Sequence, residues 1–321
     1  MTETATADPR KSKLLAYVQL LRLPNVFTAV ADVSMGYLFT HDASDWRPAL
    51  AGALPLLLAS ALLYMAGMVL NDVFDVELDR AERPERPLPS GRILISQARW
   101  IGFELLLFGG IAGAAVSFWS HDPRPAAVVI GLAALILVYD GLLKQTLLGP
   151  LAMGGCRFLN VLLGMSAASQ PWQTANYIVA VGIGVYIVGV TWFARSEAEP
   201  QSRRGQLLLA MLPMFAGMGL LAYFPEELPQ TADFEPHQLL IDPQKWHLCW
   251  VLLALLTGWR CLRCVVQPYG EFVREAIRQC LVSLIIFDAA IVVAVRGVPW
   301  GIAVVLLIVP MTILGRWSYS T

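Results

Sequence analysis

Asn71-Asp72-Val73-Phe74-Asp75-Val76-Glu77-Leu78-Asp79-Arg80-Ala81-Glu82-Arg83-Pro84-Glu85-Arg86-Pro87-Leu88-Pro89-Ser90-Gly91-Arg92-Ile93 follows directly on an uncharged, apolar run over residues 49–70. A helix needs about 20 such residues to cross hydrocarbon, so dense charge begins where the helix leaves the bilayer. If the helix continues, Asp72, Asp75 and Asp79 stand at i, i+3 and i+7 and project from one face. Three carboxylates on one stripe repel one another, and something cationic should sit between them. Hard oxygen ligands suit Mg²⁺, which dehydrates reluctantly and is typically held by one or two carboxylates together with substrate phosphates. The face-sharing acids, the leading Asn71 and the following arginines point to a metal-diphosphate site at the membrane surface. The plainer alternative is a solvated charge run that only sets topology.

The rest of the chain agrees that a membrane surrounds this stretch. Of 321 residues, 57% are hydrophobic and 15% charged, well under the quarter or so that is usual in soluble domains; the mean hydropathy is +0.60. Five scattered cysteines exclude a disulfide-built secreted domain, and a net charge of −1 excludes a nucleic-acid binder. Cys261 and Cys264 have neither a second pair nor a nearby histidine, which argues against zinc. Ten apolar segments lie near 17–40, 49–70, 99–119, 124–143, 148–169, 175–194, 206–223, 246–264, 278–295 and 298–316. Only Arg296, Gly297, Val298 and Pro299 separate the last two, which form either a hairpin or one broken helix. Strict alternation of apolar and polar residues is missing, so the fold class is all-α, a polytopic transmembrane bundle of nine to ten helices. Residues 1–13 are polar and expected to form a disordered cytoplasmic terminus, with 14–321 as a single transmembrane domain.

Lysine and arginine collect in cytoplasmic loops. With ten spans, 18 basic residues fall on one side and four (Arg47, Arg124, Lys245 and Arg296) on the other, while Arg157 falls inside a helix. Both termini and the 71–93 stretch are therefore expected on the cytoplasmic side of the cell's inner membrane. Trp46, Trp119, Trp172, Trp246 and Trp300 mark the external interface, and Trp100, Trp192, Trp259 and Trp317 the cytoplasmic one.

The pattern Asn71-Asp72-x-x-Asp75-x-x-x-Asp79, followed by Arg83 and Arg86-Pro87-Leu88-x-x-Gly91-x-Ile93, closely resembles the first signature of the UbiA superfamily of intramembrane prenyltransferases. Arg22-Leu23-Pro24-Asn25 resembles the opening motif of that superfamily, and Tyr139-Asp140-Gly141-Leu142-Leu143-Lys144 its Tyr-x-x-x-x-Lys element. The resemblance implies a UbiA-like bundle open laterally to lipid, with Mg²⁺ held by Asn71, Asp72, Asp75 and Asp79. It further implies Asp72, Asp75 and Lys144 as catalytic residues, with Asn71, Arg22, Asn25, Arg83, Arg86 and Tyr139 around the substrate. Arg157 and Asn160 share a helix face, and an ionisable residue at membrane depth either lines a pocket or braces the bundle; both are substrate-binding candidates.

Members of the superfamily usually carry a second aspartate-rich motif after the sixth helix. Here the chain reads Thr191-Trp192-Phe193-Ala194-Arg195-Ser196-Glu197-Ala198-Glu199-Pro200, without aspartate, and resembles a divergent branch such as the EboC-like members. Arg195 and Glu197 are candidates for the substrate and Glu199 for the metal. The implied reaction is Mg²⁺-dependent transfer of an isoprenyl group from an isoprenyl diphosphate to a hydrophobic, aromatic or lipid-like acceptor, with no obligate protein partner. A non-catalytic carrier or transporter of isoprenoids or lipids that reuses the fold is the competing reading. Asp288, inside the ninth segment, needs a partner or a proton.

Overall fold

Proline decides where the apolar runs break. Its ring clashes with the carbonyl four residues earlier, and helix α1 (Pro9–Leu20) stops four residues before Pro24. Arg22 then takes a left-handed conformation with φ 45°, which an L-residue adopts only under constraint, and α2 (Leu23–Thr40) begins. The computed structural model describes residues 9–195, 204–228, 238–267 and 270–318. Helix α1 thus starts inside the stretch expected to lack order, and residues 1–8 lie outside the described residues.

The following helices are α3 (Trp46–Phe74), α4 (Val76–Glu82), α5 (Ile95–Ser120), α6 (Arg124–Val138), α7 (Gly149–Met165), α8 (Thr174–Arg195) and α9 (Arg204–Tyr223). The chain continues with α10 (Pro243–Val266), α11 (Gly270–Arg296), α12 (Val298–Val305) and α13 (Ile308–Ser318). Among the described residues nine helical stretches are long and apolar enough to cross a membrane. Helix α7, of 17 residues, is shorter and completes the bundle. The last two apolar segments form a hairpin: Gly297 turns the chain at φ 88°, and α12 folds back so that Gly301 sits against Val293 and Ala289 of α11. Pro310 repeats the effect of Pro24, interrupting the final segment at Leu306 and Leu307.

Helix α2 is the hub, packing against α3, α7, α11 and α13. Around it run the sequential neighbours α3 with α5, α5 with α6, α6 with α7, α7 with α8, α8 with α9, and α9 with α10. Large apolar side chains such as Leu107, Phe108 and Leu255 remain exposed on the outside, as a bilayer requires. Lipid tails are as apolar as leucine, so helices associate through close packing instead. Gly154 of α7 faces the backbone of Gly184 of α8, where an added Cβ would come within 2.5 Å of the Gly184 carbonyl oxygen.

At 29 residues and about 1.5 Å each, α3 is longer than hydrocarbon is thick, so one end projects. That end carries Asn71 and Asp72. The loop after α4 returns to it: Leu88 and Ile93 are buried with Ala16, Leu20, Val69 and Ala98 in a small second core.

The α2–α7 contact is a test of this packing. A Cβ on Gly164 would lie 2.9 Å from Val33 Cα and 3.0 Å from Tyr37 N, both backbone atoms, whereas one on Gly219 meets nothing within 4 Å. Gly164→Ala should cost about 2 kcal/mol, read as a lower unfolding midpoint in detergent. Gly219→Ala should be neutral or stabilising by up to about 1 kcal/mol.

Candidate functional site

The carboxylate stripe is not carried by one continuous helix. Helix α3 ends at Phe74, Asp75 adopts φ −90° and ψ 4°, and α4 restarts at Val76. The kink separates the acids so that each meets its own cation. Arg22, turned inward by its left-handed backbone, donates from Nη2 to Asp72 Oδ1 at 3.0 Å. Arg86 donates from Nη1 to both Asp79 oxygens at 2.8 Å and lies 3.7 Å from Asp72 Oδ1. Lys144 donates to Asp75 Oδ2 and, at 2.8 Å, to Asn71 Oδ1. The cations expected between the acids are thus side chains of the protein itself.

A π-turn delivers Lys144. After α6, residues Tyr139–Leu143 widen into a π-helix closed by the Lys144 amide donating to the Tyr139 carbonyl at 2.9 Å, a local irregularity that is frequent at functional sites. It buries Tyr139 and Asp140. Asn71 Nδ2 donates to Asp140 Oδ1 at 3.3 Å, while Asp140 Oδ2 is buried without a partner among the described residues. Arg195 Nη2 donates to the Lys144 carbonyl at 2.5 Å. It crosses above Gly149, where a side chain would displace it. Burial, reinforced by the nearby Arg22 charge and opposed by Asp72, pushes the Lys144 ammonium down to about 8.

Beside Arg22 and Asn25 a cavity of about 600 Å³ opens towards α11, lined also by Glu271, Arg274, Glu275, Arg278, Leu281 and Met311. Arg278 is paired with Glu275 at 3.0 Å. Sequence reasoning counted Arg274 and Arg278 only as topology markers, although their i, i+4 spacing already put them on one face. It also passed over Asp140, which stood inside the quoted Tyr139–Lys144 run.

Several expected site residues are placed elsewhere. Arg83 caps the end of α4 and is exposed. Arg157 donates to Asp32 Oδ2 at 2.8 Å and to Thr28 Oγ1 at 2.7 Å, and Asn160 donates to the Ala29 carbonyl at 2.9 Å and to Asp32 Oδ2 at 3.2 Å. These two side chains brace α7 against α2, because a cation at membrane depth takes the nearest carboxylate. Glu197 and Glu199 lie outside the described residues.

Among the described residues no three His, Cys, Asp or Glu side chains converge on one metal position. The donor set nevertheless fits Mg²⁺ bound jointly with a phosphate ligand, which needs only one or two carboxylates from protein. Asp72, Asp75 and the Asn71 amide oxygen are the available donors, with the unfilled Asp140 Oδ2 beside them.

Residues 33–224 match the model of the UbiA prenyltransferase family. Over 152 residues the chain is 32% identical to a digeranylgeranylglyceryl phosphate synthase of Sulfurisphaera tokodaii, covering 46% of this chain and 51% of that protein. A protein of the same name from Saccharolobus solfataricus is 31% identical over 162 residues, covering 50% of this chain and 54% of that one. The chain thus spans about half the length of the curated relatives it matches. A solved structure of a UbiA homolog from Archaeoglobus fulgidus bound to GPP and Mg²⁺ has the same fold, with a TM-score of 0.66 at 14% identity over 90% of this chain and 99% of that one.

The interleaving of acids and cations makes each partner's removal costly. Asp79 is 4% exposed, so Arg86→Met leaves a buried, uncompensated carboxylate and should cost about 2–3 kcal/mol in unfolding free energy. Asp79→Asn in the same chain should recover part of that loss, measured by thermal unfolding in detergent.

Proposed function

The chain belongs to the UbiA prenyltransferase family, and from that premise we propose that it transfers an isoprenyl group from an isoprenyl diphosphate to an acceptor held in the membrane. The observation that carries this reading is the set of carboxylates at the end of α3, each matched to a cation that a more strongly charged ligand pair can displace. Mg²⁺ bound by Asp72, Asp75 and Asn71 together with phosphate oxygens would supply the positive charge that neutralises the departing diphosphate. Arg22 and Lys144 then turn from Asp72 and Asp75 to the phosphate oxygens, while Arg86 stays on Asp79 beside them. As the allylic C–O bond breaks, its electron pair goes to the diphosphate, and these donors meet the charge that grows there. The apolar faces of the surrounding helices keep water from the allylic cation. The acceptor's nucleophilic atom forms the new bond to carbon and passes its proton to the departing diphosphate.

Of the acceptor classes open from sequence, aromatic or lipid-like, the arginine-lined cavity beside Arg22 supports an anionic, lipid-like molecule. Three lining arginines, Arg22, Arg274 and Arg278, outnumber Glu271 and Glu275, and guanidinium matches a phosphate headgroup better than a neutral ring. The names of the relatives, synthases of digeranylgeranylglyceryl phosphate, support the same choice. The basic loops support a cytoplasmic position for the site in the cell's inner membrane.

Asp72→Ala and Asp75→Ala should each lower Mg²⁺-dependent transfer by about 100-fold or more while the purified protein stays folded in detergent. The assay follows pyrophosphate release and covalent product from GPP with glyceryl phosphate lipids and hydroxybenzoate offered as acceptors. Unchanged turnover in both variants refutes the site. Saturable diphosphate binding by the wild type without pyrophosphate release, under any acceptor, supports the carrier instead.

A further inference from the structure

Helix α11 places Asp288 against the middle of α2, with no exposed surface on the residue. Neither of its carboxyl oxygens meets an N–H or O–H of the described residues, and Asp32 Oδ1 is in the same position. The other Asp32 oxygen is well served, by Arg157 Nη1 at 2.8 Å and Asn160 Nδ2 at 3.2 Å. The two carboxyls sit on helices packed directly against each other, and each bears electrostatically on the other. As carboxylates both would be acceptors only, facing across a contact that contains no donor.

No neighbouring group fills the gap. The Thr28 hydroxyl donates to the Asn25 carbonyl, and the Ser60 hydroxyl is directed to Asn160 Oδ1 at 2.7 Å and the Ala29 carbonyl at 3.2 Å. Arg157 spends its second terminal nitrogen on Thr28. The remaining titratable neighbours are Tyr64 of α3, whose ring lies 5.6 Å from the guanidinium, and Cys156, adjacent to Arg157 on α7. Charge counting gives the same answer as hydrogen-bond counting. Two carboxylates and one guanidinium would leave a net negative charge in the bundle core, and like charges this close do not both ionise in such a setting.

We infer that Asp32 and Asp288 form an intramembrane proton-binding site, in which one proton held on Asp288 is donated to Asp32 Oδ1 and makes the cluster with Arg157 neutral. The site joins three elements: the hub α2, the short α7 and α11, whose C-terminal end begins the terminal hairpin. Both acids lie outside residues 33–224, and the inference stands independently of the reaction proposed above. Asp288 acts as a positioning residue, fastening α11 beside Arg22 and Asn25, which line one cavity with Arg274 and Arg278.

Infrared spectroscopy of the full-length protein in detergent at neutral pH tests this directly, because a protonated carboxyl has a C=O stretching band that an ionised one lacks. The difference spectrum between wild type and Asp288→Asn should show the loss of one such band. Asp32→Asn should lose it too, since Asp288 then ionises against Arg157. Both variants keep side-chain volume and a donor, and either is sufficient if the other fails to fold. A band of equal size in the wild type and Asp288→Asn, or one that survives Asp32→Asn, overturns the inference.

Discussion

Arg157 enters the middle of the bundle as a full positive charge, and a charge in hydrocarbon is tolerated only where a partner meets it. Its partner is Asp32, a carboxylate of α2, the helix that packs against α3, α7, α11 and α13. Breaking such a pair leaves an uncompensated buried ion, which is far more costly than never having had the pair. The position and rotation of α2 relative to α7 are therefore held by a polar contact, while glycine lets the backbones come close enough to make it: Gly36 and Gly164 lie directly against the opposite helix. Small residues and ion pairing thus work together, one setting the distance and the other the register.

The same electrostatic rule operates where α3 gives way to α4, with a different outcome. There the acids Asp72, Asp75 and Asp79 are also matched by cations, but the pairs are partly exposed: the side chains of Arg22, Arg86 and Lys144 retain 34%, 23% and 27% of their accessible surface. Partial hydration makes these pairs weaker than the Asp32–Arg157 pair. A buried pair braces the bundle, and under the function proposed above a half-buried one gives way to ligand. This gradient in burial separates Arg157 from Arg22, although both are arginines on transmembrane elements.

Helix existence was legible along the chain because lipid demands long apolar runs; the breaks after Leu20 and at Leu306, inside segments read as continuous, trace to Pro24 and Pro310. The kink at Asp75 was not, since no proline or glycine marks it; its effect is to send Asp75 to Lys144 while Asp79 stays with Arg86. Asp288 was recognisable as a carboxyl in need of a partner or proton, but its partner was not. Asp32 lies 256 positions away in the chain, and a single aspartate in an apolar run announces no direction. Arg157 showed the opposite ambiguity: depth alone gave equal reason to expect a pocket wall and a brace.

What the amino-acid sequence determined on its own was everything governed by local chemistry and by the bilayer. This comprises the number of apolar segments, the side on which basic residues gather, and the 71–93 signature with its companions at Arg22–Asn25 and Tyr139–Lys144. Only tertiary structure decided which charge meets which. Pairing energies depend on distance and burial, and both are set by helix contacts between residues 50 to 130 positions apart, as in Arg22 with Asp72 and Thr28 with Arg157. The stripe of acids could be read from one dimension, whereas its division into separate ion pairs required three.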